Sequence, residues 1–172
     1  MKSALLIIDM LNDFVLSGAP LEIPRAKQII PVIKSHISTA RYLSWLIVYV
    51  CDRHEENDKE FEKWPKHAVK ETSGSAIVEA LDPEIRVGDL IVPKTRYSGF
   101  FKTLLETHLE VRKIEKLHLV GVATDICILA TAMDALMRNF EVVVHDRATA
   151  ALTLGQHLKA LGVMKGIGAE IK

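Results

Sequence analysis

Short apolar runs alternate along this chain with longer segments in which apolar residues recur every three or four positions. The short runs predict β-strands and the longer segments predict amphipathic helices. The predicted strands are Ala4–Ile8, Trp45–Cys51, Leu90–Pro93, Leu117–Gly121, Glu141–His145 and a last short one near Ala169–Ile171. The predicted helices are Ala26–Arg41, Phe100–His108, Ile126–Arg138 and Leu154–Val163. This alternation predicts an α/β fold of the doubly wound, Rossmann-like three-layer kind, with a mostly parallel sheet and helices on both faces.

Length and composition suit a single domain over residues 1–172. A chain of 172 residues with 49% hydrophobic residues can bury one sizeable core. The longest irregular segment, residues 52–75, is charged and contains Trp64 next to Pro65. Loops of that length are usually functional or disordered, so this one is a candidate functional loop.

Charge and cysteine content exclude several function classes. The 22 basic residues balance 22 acidic ones, so no overall field attracts nucleic acid or an anionic membrane. No apolar stretch approaches the length of a membrane span. Two cysteines do not make a disulfide framework, which fits a reduced setting. We therefore expect a cytoplasmic protein with no nucleic-acid partner and no membrane partner.

Reactive side chains follow several of the predicted strands. Asp9 follows the first strand, Asp52 and His54 the second, Lys94 the next, and Cys127 comes after Leu117–Gly121. In a doubly wound sheet, ligands bind beyond the carboxyl ends of the strands. One edge of the sheet would then carry an acid, a cation, a thiol and a pair of possible metal ligands, Asp52 and His54. This combination indicates an enzyme site.

Cys127 lies just after Thr124 and Asp125, which are good N-cap residues for the helix that follows. A thiol in the first turn of a helix gains from the helix dipole, which favours the thiolate, and lies near free backbone N–H groups. These are the needs of a nucleophile with an oxyanion hole. The alternative is a small apolar residue packed under the helix, because free cysteine is often buried.

Asp9 and Lys94 each have an ordinary explanation when taken alone. Asp9 could cap the turn after its strand, and Lys94 could be a solvated surface lysine. A carboxylate and an ammonium at neighbouring strand ends can instead pair, which makes burial of both tolerable. Such a pair beside Cys127 would supply a base and a field that favours the thiolate.

Asp52 and His54 are two positions apart, so at the end of an extended strand they point the same way. His67 adds a second imidazole further along the loop. Two histidines and a carboxylate are a common ligand set for Zn²⁺ or Fe²⁺. The alternative is a pair of solvated loop histidines. Cys51 should point to the opposite face from Asp52, as a buried structural thiol.

The aromatic residues Phe14, Trp64 and Tyr97 stand in segments expected to be loops. Core packing is the ordinary explanation for such residues. With these residues assembled, five segments resemble motifs of one family along nearly the whole chain. They are ALLIIDMLNDFV at 4–15, DRH at 52–54 with KWPKH at 63–67, VPKTRYSGF at 92–100, GVATDICILATAMDAL at 121–136 and EVVVHDRATA at 141–150.

The chain is therefore identified as a member of the isochorismatase-like cysteine hydrolase superfamily, most similar to the nicotinamidases, also called pyrazinamidases. The resemblance implies Cys127 as nucleophile, Asp9 as general acid and base, and Lys94 as third triad member. It implies that Asp52, His54 and His67 bind a divalent metal. Zinc is the first expectation, with iron or manganese as alternatives, and Glu60 stands where some relatives carry a fourth ligand.

The resemblance also implies a substrate pocket. The N–H groups of Ala123 and Cys127 would form the oxyanion hole, next to a cis peptide bond between Val122 and Ala123. The implied substrate contacts are Phe14 and Trp64 on the two faces of a pyridine ring, with Tyr97 and Val122. One departure is Glu71, which stands where the family commonly has glycine and puts the path of the loop in question.

The implied reaction converts nicotinamide to nicotinate and ammonia through a cysteine thioester, as in NAD salvage, and we expect a homo-oligomer. Three alternatives stay open. The same triad could hydrolyse another small amide or carbamoyl compound, or the protein could cleave a vinyl ether as isochorismatases do. The metal motif argues against both, because isochorismatases and many uncharacterised relatives lack it. The third alternative is a thiol redox or purely binding module.

Overall fold

The computed structural model describes residues 1–81 and 84–172, and its centre is a six-stranded sheet. Every strand pairs in parallel with its neighbours, in the order β3-β2-β1-β4-β5-β6. The strands are β1 (Ser3–Ile8), β2 (Leu46–Asp52), β3 (Leu90–Lys94), β4 (Lys116–Val122), β5 (Glu141–Ala150) and β6 (Glu170–Ile171). The order steps outward from β1 in one direction and from β4 in the other, which confirms the predicted doubly wound fold.

Five α-helices accompany the sheet in the described part of the chain. They are α1 (Asn12–Val15), α2 (Ala26–Tyr42), α3 (Leu105–Val111), α4 (Leu129–Met137) and α5 (Leu154–Gly166). Two short 3₁₀ helices, Lys59–Glu62 and Ser73–Ser75, lie in the long loop, and a π-helical turn, Thr124–Ile128, precedes α4. Within residues 1–81 and 84–172, each helix is too short or too polar to span a bilayer.

Two boundaries differ clearly from the sequence prediction. Helix α3 begins at Leu105 rather than Phe100, because residues 98–104 form turns. Strand β5 continues past His145 to Ala150, since its pairing with β4 shifts register between Leu119 and Gly121 and then resumes. Polar residues lie at the register shift, so the hydrophobicity pattern does not predict that the strand continues.

Alternate residues of β1 face two separate cores, as a sheet covered on both faces requires. Leu5 and Ile7 pack in the core on the α2 side. Leu6 and Ile8 pack in the core that contains residues of α3, α4 and α5. The carboxyl ends of β1, β2, β3 and β4 are held between these cores, so side chains that follow them meet in one place.

Gly121 permits the close approach of β1 and β4 at that edge. Its φ is +113°, and a Cβ there would lie 2.1 Å from the carbonyl oxygen of Ile8. A contact that short with backbone requires the strands to separate. Glycine at this position therefore keeps Asp9, which follows Ile8, close to the segment that carries Cys127.

Glu71 occupies the left-handed backbone region, with φ of +61°. Glu71 stands where the family commonly has glycine, and its backbone adopts a conformation that favours glycine. A left-handed conformation costs an L-residue about 1–2 kcal/mol, while glycine loses about 0.5–1 kcal/mol of chain entropy on folding.

Glu71→Gly is expected to raise the free energy of unfolding by about 0.5–1 kcal/mol, since relief of strain exceeds the entropy cost. Urea denaturation measures the change. The matched control is Glu62→Gly in the 3₁₀ helix Lys59–Glu62, where glycine relieves no such strain and should lower stability. Loss of stability in both variants would contradict the assignment of strain to Glu71.

Candidate active site

Asp9, Lys94 and Cys127 meet at the carboxyl edge of the sheet. Asp9 follows β1, Lys94 ends β3, and Cys127 lies in the turn after β4. The Lys94 ammonium nitrogen is 2.8 Å from Asp9 Oδ2 and 3.6 Å from Cys127 Sγ. Asp9, Lys94 and Cys127 are only 1%, 2% and 6% exposed. The structure thus brings the three predicted residues together, and the surface explanation of Lys94 does not apply.

Asp52 joins this cluster in a way that sequence reasoning did not find. Its Oδ1 accepts a short hydrogen bond from the Lys94 ammonium, and its backbone N–H donates to Asp9 Oδ1 at 2.8 Å. Asp9 has a φ of +51°, a left-handed conformation that is uncommon outside glycine and turns the chain at the end of β1. One ammonium therefore lies between two buried carboxylates.

Burial and neighbouring charges together set the pKa values of these groups. Burial and the neighbouring charge of Asp52 raise the pKa of Asp9 to about 6, and Lys94 offsets only part of this rise. Burial alone would lower the pKa of Lys94, but Asp52 and Asp9 raise it well above its usual value. At neutral pH the cluster therefore holds a fixed ammonium and, in Asp9, a carboxylate that is a stronger base than usual.

The expectation that Cys127 favours the thiolate is wrong for this structure. Burial raises the pKa of Cys127 well above its usual value, and Lys94 only partly opposes this effect. The residue lies in the π-helical turn Thr124–Ile128 rather than in the first turn of α4. There the N–H groups of Ile126 and Ile128 both donate to the Ala123 carbonyl at 3.1 Å, so they are not available to Cys127. The thiol needs a base, and Asp9 is close enough to serve.

Asp52, His54 and His67 converge next to this cluster. Asp52 Oδ2 is 3.6 Å from His54 Nε2 and 3.8 Å from His67 Nε2. One ligand atom from each residue lies within 4.8 Å of the others, and all three residues are buried. Asp52 therefore faces Lys94 with one oxygen and the two imidazoles with the other.

Hydrogen bonds fix the orientation of both imidazoles. His54 Nδ1 donates to Asp58 Oδ2 at 3.0 Å, and His67 Nδ1 donates to the Pro65 carbonyl at 2.6 Å. Each ring thus carries its proton on Nδ1 and presents Nε2 toward Asp52, the arrangement that metal-binding histidines use. Sequence reasoning missed Asp58, although it stands four residues after His54 and caps the 3₁₀ helix Lys59–Glu62 through the N–H of Glu60.

The donor set fits a divalent metal. His54 Nε2 is buried and has no hydrogen-bond partner among the described residues, which is costly unless something else binds it. Two imidazole nitrogens and a carboxylate suit zinc, with positions left for water or substrate. Glu60 is buried nearby, with Oε2 3.6 Å from Arg96 Nη1, but it is not part of the three-residue cluster. Its role as a fourth ligand stays a prediction.

A cavity of about 380 Å³ is lined by Cys127 and by Asp52 and His67 of the candidate metal site. Phe14, Trp64 and Tyr97 line it, as the resemblance implied, and Trp64 Nε1 donates to the Tyr97 hydroxyl at 3.0 Å. The remaining lining residues are Asp52, Glu60, His67, Ala123, Asp125, Ile126, Cys127, residues 19–23, Leu152 and Gln156. Residues 19–23, Leu152 and Gln156 were missed, because no motif or periodicity marks them.

Val122 does not lie where the resemblance placed it. It is fully buried in the core on the α2 side, and Ala123 forms the cavity wall instead. The peptide bond between the two residues is cis, as the resemblance implied. A strand residue whose side chain points into the core cannot contact a substrate at the strand end, which explains the error.

Comparison with known proteins agrees with this geometry. The sequence model of the Isochorismatase domain matches residues 3–172. The chain belongs to the isochorismatase family. The isochorismatase family protein PncA of Bacillus subtilis is 37% identical over 99% of both chains. The crystal structure of nicotinamidase/pyrazinamidase PncA from Bacillus subtilis matches with 35% identity and a TM-score of 0.94 over 99% of each chain.

Not all relatives share one activity. Pyrazinamidase of Pyrococcus horikoshii, solved in complex with zinc, is 32% identical, with a TM-score of 0.93 over 100% of this chain and 99% of that one. N-carbamoylsarcosine amidase from Thermoplasma acidophilum is 32% identical, with a TM-score of 0.88 over 100% and 96%. A probable inactive nicotinamidase of Arabidopsis thaliana is 33% identical over 98% of this chain and 91% of that one. The family and fold thus support an amidohydrolase and leave the substrate to be argued from the site.

Proposed function

We propose that this protein hydrolyses nicotinamide to nicotinate and ammonia. One observation carries the proposal. The same cavity is lined by Cys127, by the candidate metal ligands Asp52 and His67, and by Phe14 and Trp64. A nucleophile, a site for a metal and two aromatic side chains around one space suit a flat heteroaromatic amide. The zinc-bound pyrazinamidase of similar fold supports the same assignment.

The first half of the reaction forms a thioester. Asp9 removes the proton from Cys127 as Sγ attacks the amide carbonyl carbon, because the buried thiol does not ionise by itself. The N–H groups of Ala123 and Cys127 hold the oxygen that becomes negative. Asp9 then passes its proton to the amide nitrogen, the C–N bond breaks, and ammonia leaves.

The second half releases the acid. Asp9, again a carboxylate, removes a proton from a water that attacks the thioester carbonyl. The C–S bond breaks, nicotinate leaves, and the proton returns to the Cys127 sulfur. Throughout, Lys94 keeps its ammonium 2.8 Å from Asp9 Oδ2, which orients the carboxylate and stabilises negative charge close to Sγ.

Asp52, His54 and His67 would hold the divalent ion, with Asp58 and the Pro65 carbonyl fixing the two rings. A bound ion would supply an anchor for the pyridine nitrogen of the substrate, as a template for binding. Phe14 and Trp64 would contact the ring. Because the ring would be held on the metal side, the carboxamide would be left facing Cys127.

Ammonia release from a panel of amides tests the proposal. Nicotinamide and pyrazinamide should be cleaved, while benzamide has the ring without the nitrogen. Loss of a buried polar partner costs about 1–3 kcal/mol, so benzamide should be slower by a factor of about 10 to 100 in kcat/KM. Aliphatic amides and N-carbamoyl amino acids complete the panel, and cleavage of any of these three classes as fast as nicotinamide would refute the proposed specificity.

His54→Ala tests the metal set independently of activity. Its Nε2 is buried and has no hydrogen-bond partner within residues 1–81 and 84–172, so its loss should remove the site. Metal analysis should find stoichiometric divalent metal in the wild type and little in the variant. His108→Ala is the matched control, because His108 lies in α3, away from the cluster, and should leave the metal content unchanged. Equal metal content in the wild type and in His54→Ala would refute the assignment. The variant Glu60→Gln tests the proposed fourth ligand separately.

A further inference from the structure

A second chain of polar residues, of which Thr124 and His157 are buried, lies behind the turn that carries Cys127. His157 Nε2 is 2.7 Å from Asp146 Oδ1, and His157 Nδ1 is 2.9 Å from Thr124 Oγ1. His157 is 2% exposed and Thr124 is fully buried. The reaction described above uses none of these three side chains.

The direction of both hydrogen bonds follows from their chemistry. A carboxylate only accepts, so His157 donates its Nε2 proton to Asp146. In the tautomer that has its proton on Nε2, Nδ1 is an acceptor, and the Thr124 hydroxyl donates to it. Asp146 thus selects the tautomer that lets His157 hold Thr124, in the way an acid orients a histidine in a hydrolase triad. Because Thr124 has no exposed surface, its hydroxyl does not act as a second nucleophile.

These three residues join three separate elements. Asp146 belongs to β5, His157 to α5, and Thr124 is the first residue of the turn Thr124–Ile128. Thr124 is also bonded directly to Ala123, whose N–H is a proposed oxyanion donor. Holding the Thr124 side chain therefore fixes the start of the turn that carries Cys127.

We propose that Thr124 and His157 are positioning residues for amide hydrolysis. They hold the turn so that the N–H groups of Ala123 and Cys127 face the developing oxyanion, and Asp146 supports them by setting the tautomer of His157. This inference rests on the proposed function for its chemistry, but not on nicotinamide as the substrate. It assigns a role to α5, which supplies no residue to the catalytic cluster.

Thr124→Val removes the hydroxyl and keeps the shape of the side chain. Loss of a whole oxyanion donor costs about 10²–10³ in kcat, and misplacement of one should cost less, about tenfold. KM should change by less than about twofold, since the ring contacts at Phe14 and Trp64 are untouched. Thr124→Ser keeps the hydroxyl and should recover most of the loss.

His157 gives a second pair of variants. An asparagine amide can reach the position of Nδ1 and accept from Thr124, while leucine cannot. His157→Asn should therefore retain more kcat than His157→Leu. The double variant Thr124→Val/His157→Leu should lose no more kcat than Thr124→Val alone, because the two residues act as one unit.

Helix stability is separated from positioning by Thr153→Ala. Thr153 caps α5 by accepting from the N–H of Gln156, so its loss should lower the Tm and leave kcat as it was. Steady-state kinetics on nicotinamide, or on whichever amide of the panel the wild type cleaves, gives kcat and KM. Hydrogen exchange of the peptide that covers residues 123–128 gives a readout that needs no substrate.

A tenfold loss of kcat with constant KM, recovery in Thr124→Ser and faster exchange of the turn would support the inference. Unchanged kcat in Thr124→Val would overturn it, as would a double variant in which the two losses multiply. If no amide is cleaved, the proposed function fails by itself. The exchange measurement then decides the positioning role, and an unchanged rate for the turn in Thr124→Val would overturn it.

Discussion

Cys127→Ala is expected to reduce amide hydrolysis by at least ~10³ in kcat while the protein stays folded. The thiol lies 3.6 Å from the Lys94 ammonium and lines the cavity, so its removal takes away the proposed nucleophile. Alanine fills most of the same space, and the fold should tolerate it. Ammonia release measures the loss, and circular dichroism with thermal unfolding measures the fold.

Cys51→Ala is the matched control. Cys51 is the other cysteine of the chain, is 1% exposed and packs in the core on the α2 side. Burial raises the pKa of its thiol to about 12, and unlike Cys127 it does not line the cavity, so it is not expected to act as a nucleophile. The control should keep its activity, and mass spectrometry of acid-quenched wild type should place an acyl adduct on Cys127. More than about a tenth of wild-type activity in Cys127→Ala would remove this residue from its proposed role.

The sheet and the meeting of Asp9, Lys94 and Cys127 could be predicted from the sequence for a physical reason. Parallel strands covered on both faces give continuous apolar runs, and the residue after each run lies at the same edge of the sheet. The residues that follow those apolar runs are therefore expected to lie close together in the folded protein. The same logic failed for β5, where polar residues interrupt the apolar pattern at a register shift and the strand continues beyond them.

The electrostatic state of the site could not be predicted in the same way. A position near a helix start suggested a thiolate, but the proton affinity of Cys127 depends on burial and on the surrounding charges. The double role of Asp52 depends on which oxygen faces Lys94 and which faces His54, a matter of side-chain rotation. The hydrogen bond from His54 to Asp58 likewise depends on the path of the loop.

Lys94→Met is expected to affect stability as well as activity, because it leaves Asp9 and Asp52 buried without the ammonium that separates them. Breaking a buried ion pair by removing one partner typically costs about 3–5 kcal/mol. Methionine is flexible and close in length to lysine, so loss of packing should contribute little. Urea denaturation in the presence of a chelator measures the free energy of unfolding without a contribution from bound metal.

Two further variants separate charge from packing. Lys66→Met removes one partner of an exposed ion pair, where the side chains of Lys66 and Glu56 are 49% and 67% exposed. Exposed pairs contribute about 0–1 kcal/mol, so this control should change little. Lys94→Met/Asp52→Asn removes one of the two facing carboxylates and should be more stable than Lys94→Met alone, since the repulsion between buried like charges is gone. If the double variant is less stable than Lys94→Met, the loss arises from packing, and Lys94 is not the counterion that allows two carboxylates to be buried at this site.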